Sequence, residues 1–185
     1  QNSHTLAEFL SPGTPGVSEY ILRAADNKLY DVSSGDVNIT NTLTITSNLW
    51  QWTQFRDRLF LVNGVDQPVH WTGYGLNAAA TSWSGTGLTI TNLINVSHYK
   101  RRLYFVEKDT LSVWWPESLD NISNVLKETS LESIARFGGA LLYAGPVSSS
   151  INTNEQYMCF ITTAGEILIY TGDWPDALNW RIVAQ

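Results

Sequence analysis

Phe55-Arg56-Asp57-Arg58-Leu59-Phe60-Leu61-Val62 and Tyr99-Lys100-Arg101-Arg102-Leu103-Tyr104-Phe105-Val106 are two copies of one pattern, 44 residues apart. The same offset carries Val69-His70-Trp71 onto Val113-Trp114-Trp115 without a gap. Two segments matching at one offset indicate an internal repeat, and a repeat constrains architecture more than any single motif does. Fainter copies flank the pair. Tyr20-Ile21-Leu22 with Leu29-Tyr30 fits at an offset of 40 before it, and Phe160-Ile161-Thr162 with Ile169-Tyr170 fits at 56 after it.

Each unit reads as a β-hairpin. Leu59, Leu61, Leu103 and Phe105 alternate with Phe60, Val62, Tyr104 and Val106, so the strands are apolar on both faces and belong inside a stack of sheets. Asn63-Gly64 and Ala164-Gly165 supply turn residues tolerant of positive φ, and Glu107-Lys108-Asp109 is a polar turn. A further strand precedes each hairpin, at 49–55 and 93–99. Leu43-Thr44-Ile45-Thr46 and Leu88-Thr89-Ile90-Thr91 alternate as outer, half-solvated strands would. Three or four short strands per ~40–45 residues is the spacing of a propeller blade. The expected fold is all-β: a β-propeller or propeller arc of about four repeats of 40–56 residues. Polar Gln1 to Ser18, with Ser11-Pro12-Gly13, reads as a linker or N-terminal arm. Residues 19–185 then form the repeat domain, with units near 19–48, 49–92, 93–140 and 141–185. Leu119 to Phe137 is an insertion with at most one or two short helical turns.

Composition narrows the function. The chain has 185 residues, 43% hydrophobic and 15% charged, with 11 basic against 17 acidic residues and a net charge of −6. No apolar run approaches the ~18 residues of a membrane helix. One Cys excludes an intrachain disulfide framework and Cys-rich zinc motifs. The negative charge is wrong for wrapping nucleic acid by phosphate neutralisation. The only Met is Met158, and no apolar leader follows Gln1, so a processed chain or part of a longer polypeptide is expected.

No residue set reads as catalytic. His4, His70 and His98 lack metal-ligand spacing, and Cys159 sits in an apolar run as a small core residue. Asp57, Asp66, Glu107, Asp109, Glu166, Asp173 and Asp176 lie at expected turns and read as solvated turn carboxylates; a propeller glycosidase would need two of them to converge. The chain is therefore expected to be non-enzymatic and to hold no cofactor or metal. Two other groups stand out. Arg56, Arg58, Lys100, Arg101 and Arg102 occupy equivalent repeat positions, which puts them on one rim, either as solubilising turns or as a subunit-contact surface. Trp71, Trp114, Trp115, Trp174 and Trp180 lie near strand ends, as packing between blades or as platforms for stacking sugars.

The segment from Arg102 through Val113-Trp114-Trp115-Pro116 resembles bacteriophage virion proteins. So do Phe137-Gly138-Gly139-Ala140-Leu141-Leu142, Phe160-Ile161-Thr162-Thr163-Ala164-Gly165-Glu166 and Arg58-Leu59-Phe60-Leu61-Val62-Asn63-Gly64. The group is the tail nozzle, tail-hub and packaged-DNA-stabilisation proteins of short-tailed phages. The resemblance spans roughly residues 50–180 and implies a propeller in a ring around the DNA exit channel. The implied partners are other copies, other tail or portal proteins and DNA in transit, without a membrane segment and without catalytic residues. Members of this group are usually several hundred residues long. A carbohydrate-binding propeller is the alternative, and a propeller glycoside hydrolase the third.

Overall fold

The computed structural model describes residues 3–10, 19–33, 35–73, 78–148 and 156–185. Among these residues sixteen strands form four antiparallel sheets, each a four-stranded meander in chain order. The first holds β1 (Ser3–Leu10), β2 (Glu19–Ala25), β3 (Lys28–Asp31) and β4 (Val37–Asn38). The second holds β5 (Gln51–Phe55), β6 (Arg58–Val62), β7 (Val69–Trp71) and β8 (Ala79–Ala80). The third holds β9 (Leu93–Tyr99), β10 (Arg102–Glu107), β11 (Ser112–Pro116) and β12 (Leu126–Ser130). The fourth holds β13 (Leu141–Ser148), β14 (Gln156–Thr162), β15 (Ile167–Thr171) and β16 (Arg181–Ala184). Among the described residues the only helix is one 3₁₀ turn, Ile90–Asn92.

Three apolar layers fill the spaces between successive sheets. Phe9, Tyr20, Leu22, Leu59, Leu61 and Trp71 join the first and second. Phe55, Phe60, Val62, Leu103, Phe105 and Trp114 join the second and third. Tyr104, Val106, Trp115, Met158, Phe160 and Tyr170 join the third and fourth. This is why β6 and β10 are apolar on both faces: alternate side chains enter different layers. No such layer joins the first and fourth sheets among the described residues, and Leu6, Ile21 and Ile167 stay exposed there.

The first strands of neighbouring sheets lie against one another, β5 on β9 and β9 on β13. Polar side chains fasten them. Thr5 Oγ1 accepts the Trp50 N–H at 2.9 Å, Gln51 Oε1 the Val96 N–H at 3.2 Å, and Asn95 Oδ1 the Ala144 N–H at 3.1 Å. Each reaches forward to the next sheet. Two residues 44 positions apart reach back: Gln54 Nε2 donates to the Leu10 carbonyl at 2.6 Å, and His98 Nδ1 lies 3.2 Å from Thr53 Oγ1. One backbone donor in β9, one in β13 and one just before β5 are thus satisfied across a sheet boundary. Tyr99 adds a further tie, its hydroxyl donating to the Gly172 carbonyl at 2.7 Å. Tyr99→Phe should lower stability by about 1–1.5 kcal/mol in urea titration, since one buried hydrogen bond is lost and the ring is kept.

Several expectations are corrected. Residues 3–10, assigned to a linker or arm, form β1 and pair with β2 from Leu10↔Glu19 to Ser3↔Ala25. Polar composition hid an alternation in which Ala7 and Phe9 point inward. Residues 11–18 of that segment lie outside the described residues. The Thr-alternating segments 43–46 and 88–91 are not strands. The outermost strands are β4, β8, β12 and β16. The stretch 119–137, read as an insertion with at most one or two short helical turns, has one such turn, where the Ala135 N–H donates to the Leu131 carbonyl at 2.8 Å, but it also contains β12, whose Leu126 is buried. The 44-residue match also slips. It is in register for β5–β6 onto β9–β10, where Phe55↔Arg58 and Tyr99↔Arg102 are the closing pairs. In the third strands it is one residue out: Leu61 pairs with Val69, but Phe105 pairs with Trp114. A one-residue slip reverses the face of every side chain. Trp71 therefore faces the first sheet and Trp115 the fourth.

Candidate functional site

In an antiparallel meander the turns alternate between the two ends of a sheet, so first-to-second and third-to-fourth connections share one rim. Of the five candidate basic residues, Arg56, Arg58, Lys100 and Arg101 lie at this rim. Arg56 opens the β5–β6 turn at φ +56°, and Lys100 and Arg101 form the β9–β10 turn at φ +41° and +65°. Long side chains seldom occupy left-handed backbone. Each of these three holds an acid that arrives from a third-to-fourth connection. Asp120 accepts from both Arg56 and Arg101, tying the second sheet to the third. Those hydrogen bonds hold its carboxyl down to about 2. Lys100 pairs with Asp173 at 3.3 Å and Lys127 with Asp176 at 3.2 Å, tying the third sheet to the fourth.

Arg102 is not a rim charge. It is buried, donates to the Glu117 carbonyl at 3.0 Å, and lies 4.3 Å over the Trp174 ring. Arg58 donates to His70 Nε2 at 3.2 Å and lies 3.6 Å from Asp57. Burial, reinforced by the Arg58 charge, lowers the His70 pKa, so its imidazole is neutral near pH 7 and its Nε2 can accept. The rim is therefore internally neutralised, with acid and base supplied by neighbouring sheets. Asp120→Asn should shift the melting temperature by less than about 3 °C in calorimetry, because exposed ion pairs contribute little.

The Trp residues are packing elements. Trp71 and Trp115 are fully buried and Trp114 nearly so. Trp71 lies 6.0 Å from Phe9 and edge-on to Tyr20 at 5.8 Å. Trp114 Nε1 donates to Glu107 Oε2 at 3.0 Å, and Trp115 Nε1 to Thr129 Oγ1 at 2.9 Å. Trp174 sits half-buried under Arg102, and Trp180 stacks on Tyr170 at 5.2 Å. All eight Trp are described, and none is exposed.

Sequence reasoning missed a third constellation. Three of the carboxylates read as solvated turn residues are buried: Asp66 at 7% exposure, Glu107 at 6% and Glu166 at 4%. All lie at or next to the connection between the second and third strands of their sheet. Each accepts backbone N–H groups from the linker that enters that sheet. Asp66 takes Thr46 at 2.9 Å and Ser47 at 3.2 Å, plus the Thr46 hydroxyl at 2.5 Å and Asn63 Nδ2 at 2.7 Å. Glu107 takes Thr89 at 3.0 Å together with the Trp114 indole. Glu166 takes Arg136 at 3.0 Å and Phe137 at 3.2 Å, with Gln185 Nε2 at 2.5 Å. Burial pushes the Asp66 carboxyl up, but its hydrogen bonds outweigh that and leave it below its ordinary value. Glu166 is lowered chiefly by the Arg136 N–H, against the opposing effect of burial. The signal available in the sequence was an acid recurring near one turn of three successive repeats.

Chemically, these groups clamp linkers and rims; they do not converge on a cleft. Among the described residues no cluster of three or more His, Cys, Asp or Glu could hold a metal ion. No helix among them is long and apolar enough to cross a membrane. Comparison with protein-family models gives no match, and neither does comparison with curated proteins.

Proposed function

We propose that the chain is a non-enzymatic structural component of a phage virion tail, a propeller-type segment of a nozzle or hub that works by assembly into a ring around the DNA exit channel. The observation that carries this reading is the serial construction. Four meander sheets stack in chain order through their first strands, while among the described residues Leu6, Leu10 and Ile21 of the first sheet and Ile167 of the fourth stay exposed on the outer faces. A stack built by repetition can be continued by further subunits in the same manner. The paired rim charges, buried Trp residues and clamped linkers all serve rigidity, which a conduit needs. The net charge of −6 disfavours adhesion of DNA in passage. Other copies and neighbouring tail or portal proteins are the partners this reading implies. The carbohydrate-binding alternative has less support, since it rests on exposed Trp faces and none of the candidate Trp residues is exposed.

Peptide mass spectrometry of purified particles, with imaging of the tail, tests the proposal. The chain should be present in a fixed multiple per particle. Its absence from particles would remove the reading.

A further inference from the structure

We propose that the second sheet holds a binding site for an indole group, a flat aromatic ring with an N–H donor, in a cleft whose counterpart in the third sheet is filled by Trp114. The inference is independent of the virion reading. It starts from the one-residue slip in the third strands. Leu61 and Phe105 are equivalent residues, 44 positions apart. Leu61 pairs with Val69, and Phe105 with Trp114. Val69 therefore holds in the second sheet the place that Trp114 holds in the third. The faces agree. Val69 packs in the layer shared with the first sheet and Trp114 in the layer shared with the second, so each looks back to the preceding sheet.

The surroundings of Trp114 define what that place accommodates. Its indole N–H donates to Glu107 Oε2 at 3.0 Å, while Glu107 Oε1 takes the Thr89 N–H of the incoming linker at 3.0 Å. The ring also lies against that linker: a Cβ at Gly85 would be 2.8 Å from Trp114 Cζ3 and 3.2 Å from Leu88 Cβ. Carboxylate, linker and third strand thus enclose one flat ring. The second sheet repeats the enclosure around a smaller side chain. Asp66 takes the role of Glu107, accepting N–H groups from the incoming linker. Leu43-Thr44-Ile45 takes that of Leu88-Thr89-Ile90, and Ala80 pairs with Val69 as Glu128 pairs with Trp114. With Val in the place of Trp, these residues line a cleft of about 470 Å³. Pockets for small molecules begin at about 300 Å³. Asp66 Oδ1 accepts one hydrogen bond, from the Thr46 hydroxyl, and a carboxylate oxygen can accept a second. Thr44 and Ala80 are exposed, so the cleft opens to solvent. A ring without a donor would desolvate the carboxylate and give nothing back, whereas a ring with an N–H satisfies both the apolar walls and the acceptor.

Equilibrium dialysis of the full chain against indole tests this, with circular dichroism to check that each variant is folded. Indole should bind with a dissociation constant below about 1 mM. Benzofuran, the same ring with oxygen in place of the N–H, should bind at least about 10-fold more weakly, since a hydrogen bond to a charged group is lost. Val69→Trp supplies the ring from the sheet itself and should abolish indole binding in a chain that stays folded. Ala80→Leu, which narrows the cleft from an exposed position, should weaken binding at least about 10-fold. Ala79→Leu, on the opposite face of the same strand, should leave it unchanged. N-Acetyltryptophanamide separates the two sources of the ring. Binding of both ligands would identify the occupant as a Trp side chain offered by a partner, and binding of indole alone would identify it as a free small molecule. Indole binding weaker than about 1 mM would overturn the proposal. So would equal affinity for benzofuran, or an affinity that Ala80→Leu leaves unchanged.

Discussion

Trp71→Ala is expected to lower the stability of the chain by about 3–5 kcal/mol, read as a fall in the urea midpoint. The indole is fully buried in the layer between the first and second sheets. Its neighbours Phe9 and Tyr20 belong to the first sheet, while Trp71 itself pairs with Leu59 in the second. Truncation opens a cavity that two rigid sheets cannot close without disturbing the linker between them. Domain stabilities are commonly about 5–15 kcal/mol, so the loss is a large fraction of the total. Trp115→Ala should cost a similar amount in a different layer, between the third and fourth sheets. The two substitutions lie in different layers, so their effects should add to within about 0.5 kcal/mol. Trp180→Ala, half-buried on Tyr170, should cost no more than about 2 kcal/mol. A Trp71→Ala variant of unchanged stability would mean that the indole is not a packing element.

The repeat was legible because apolar periodicity survives divergence. The strands β5, β6, β9 and β10 lie where alternation placed them, and Gly64 and Gly165 have the positive φ, +74° and +81°, that their turns require. What escaped detection was tertiary. Segment 3–10 looks polar because only one of its faces is buried. Trp71 and Trp115 match in sequence yet face opposite ways, since one residue of difference in the connection between second and third strands is invisible to an ungapped alignment. The fourth copy slips similarly: the 56-residue offset sets Phe160 on Tyr104, but Phe160 faces back to the third sheet and Tyr104 forward to the fourth. Placing four of the five basic residues on one rim, the buried Arg102 excepted, was possible from repeat logic alone. Their neutralisation was not, because Asp120 and Asp173 come from connections 19 and 73 residues away from their partners. Asp66, Glu107 and Glu166 escaped for the reverse reason. Turn carboxylates are usually solvated, and only the path of the incoming linker covers these three.

That path gives the second large effect. Asp66→Ala should cost about 2–4 kcal/mol, since it strands the Thr46 and Ser47 N–H groups that the carboxylate now accepts, in a half-buried linker. The charge matters as well as the shape. Hydrogen bonding sets the folded-state pKa of Asp66 and Glu166 below their ordinary values of 3.8 and 4.5. Below its folded-state pKa each carboxyl is protonated in folded and unfolded chains alike, and its contribution is absent. Above the unfolded value both states are ionised and the full contribution is present. The contribution of these two carboxyls should therefore be flat at neutral pH and fall as the pH drops through the range below their ordinary values, with net proton uptake on unfolding; His70 and His98, which burial lowers from 6.5, add a separate decline that begins at higher pH. Asp66→Asn cannot ionise. Its deficit against the wild type should be greatest near neutrality and shrink in acid, because protonated Asp66 offers its linker the same neutral acceptor. Urea midpoints measured from neutral pH into this acid range distinguish the outcomes. A deficit that stays constant with pH would assign the role of Asp66 to shape alone. Convergence in acid would identify ionised carboxylates as the clasps that hold each linker to the sheet it enters.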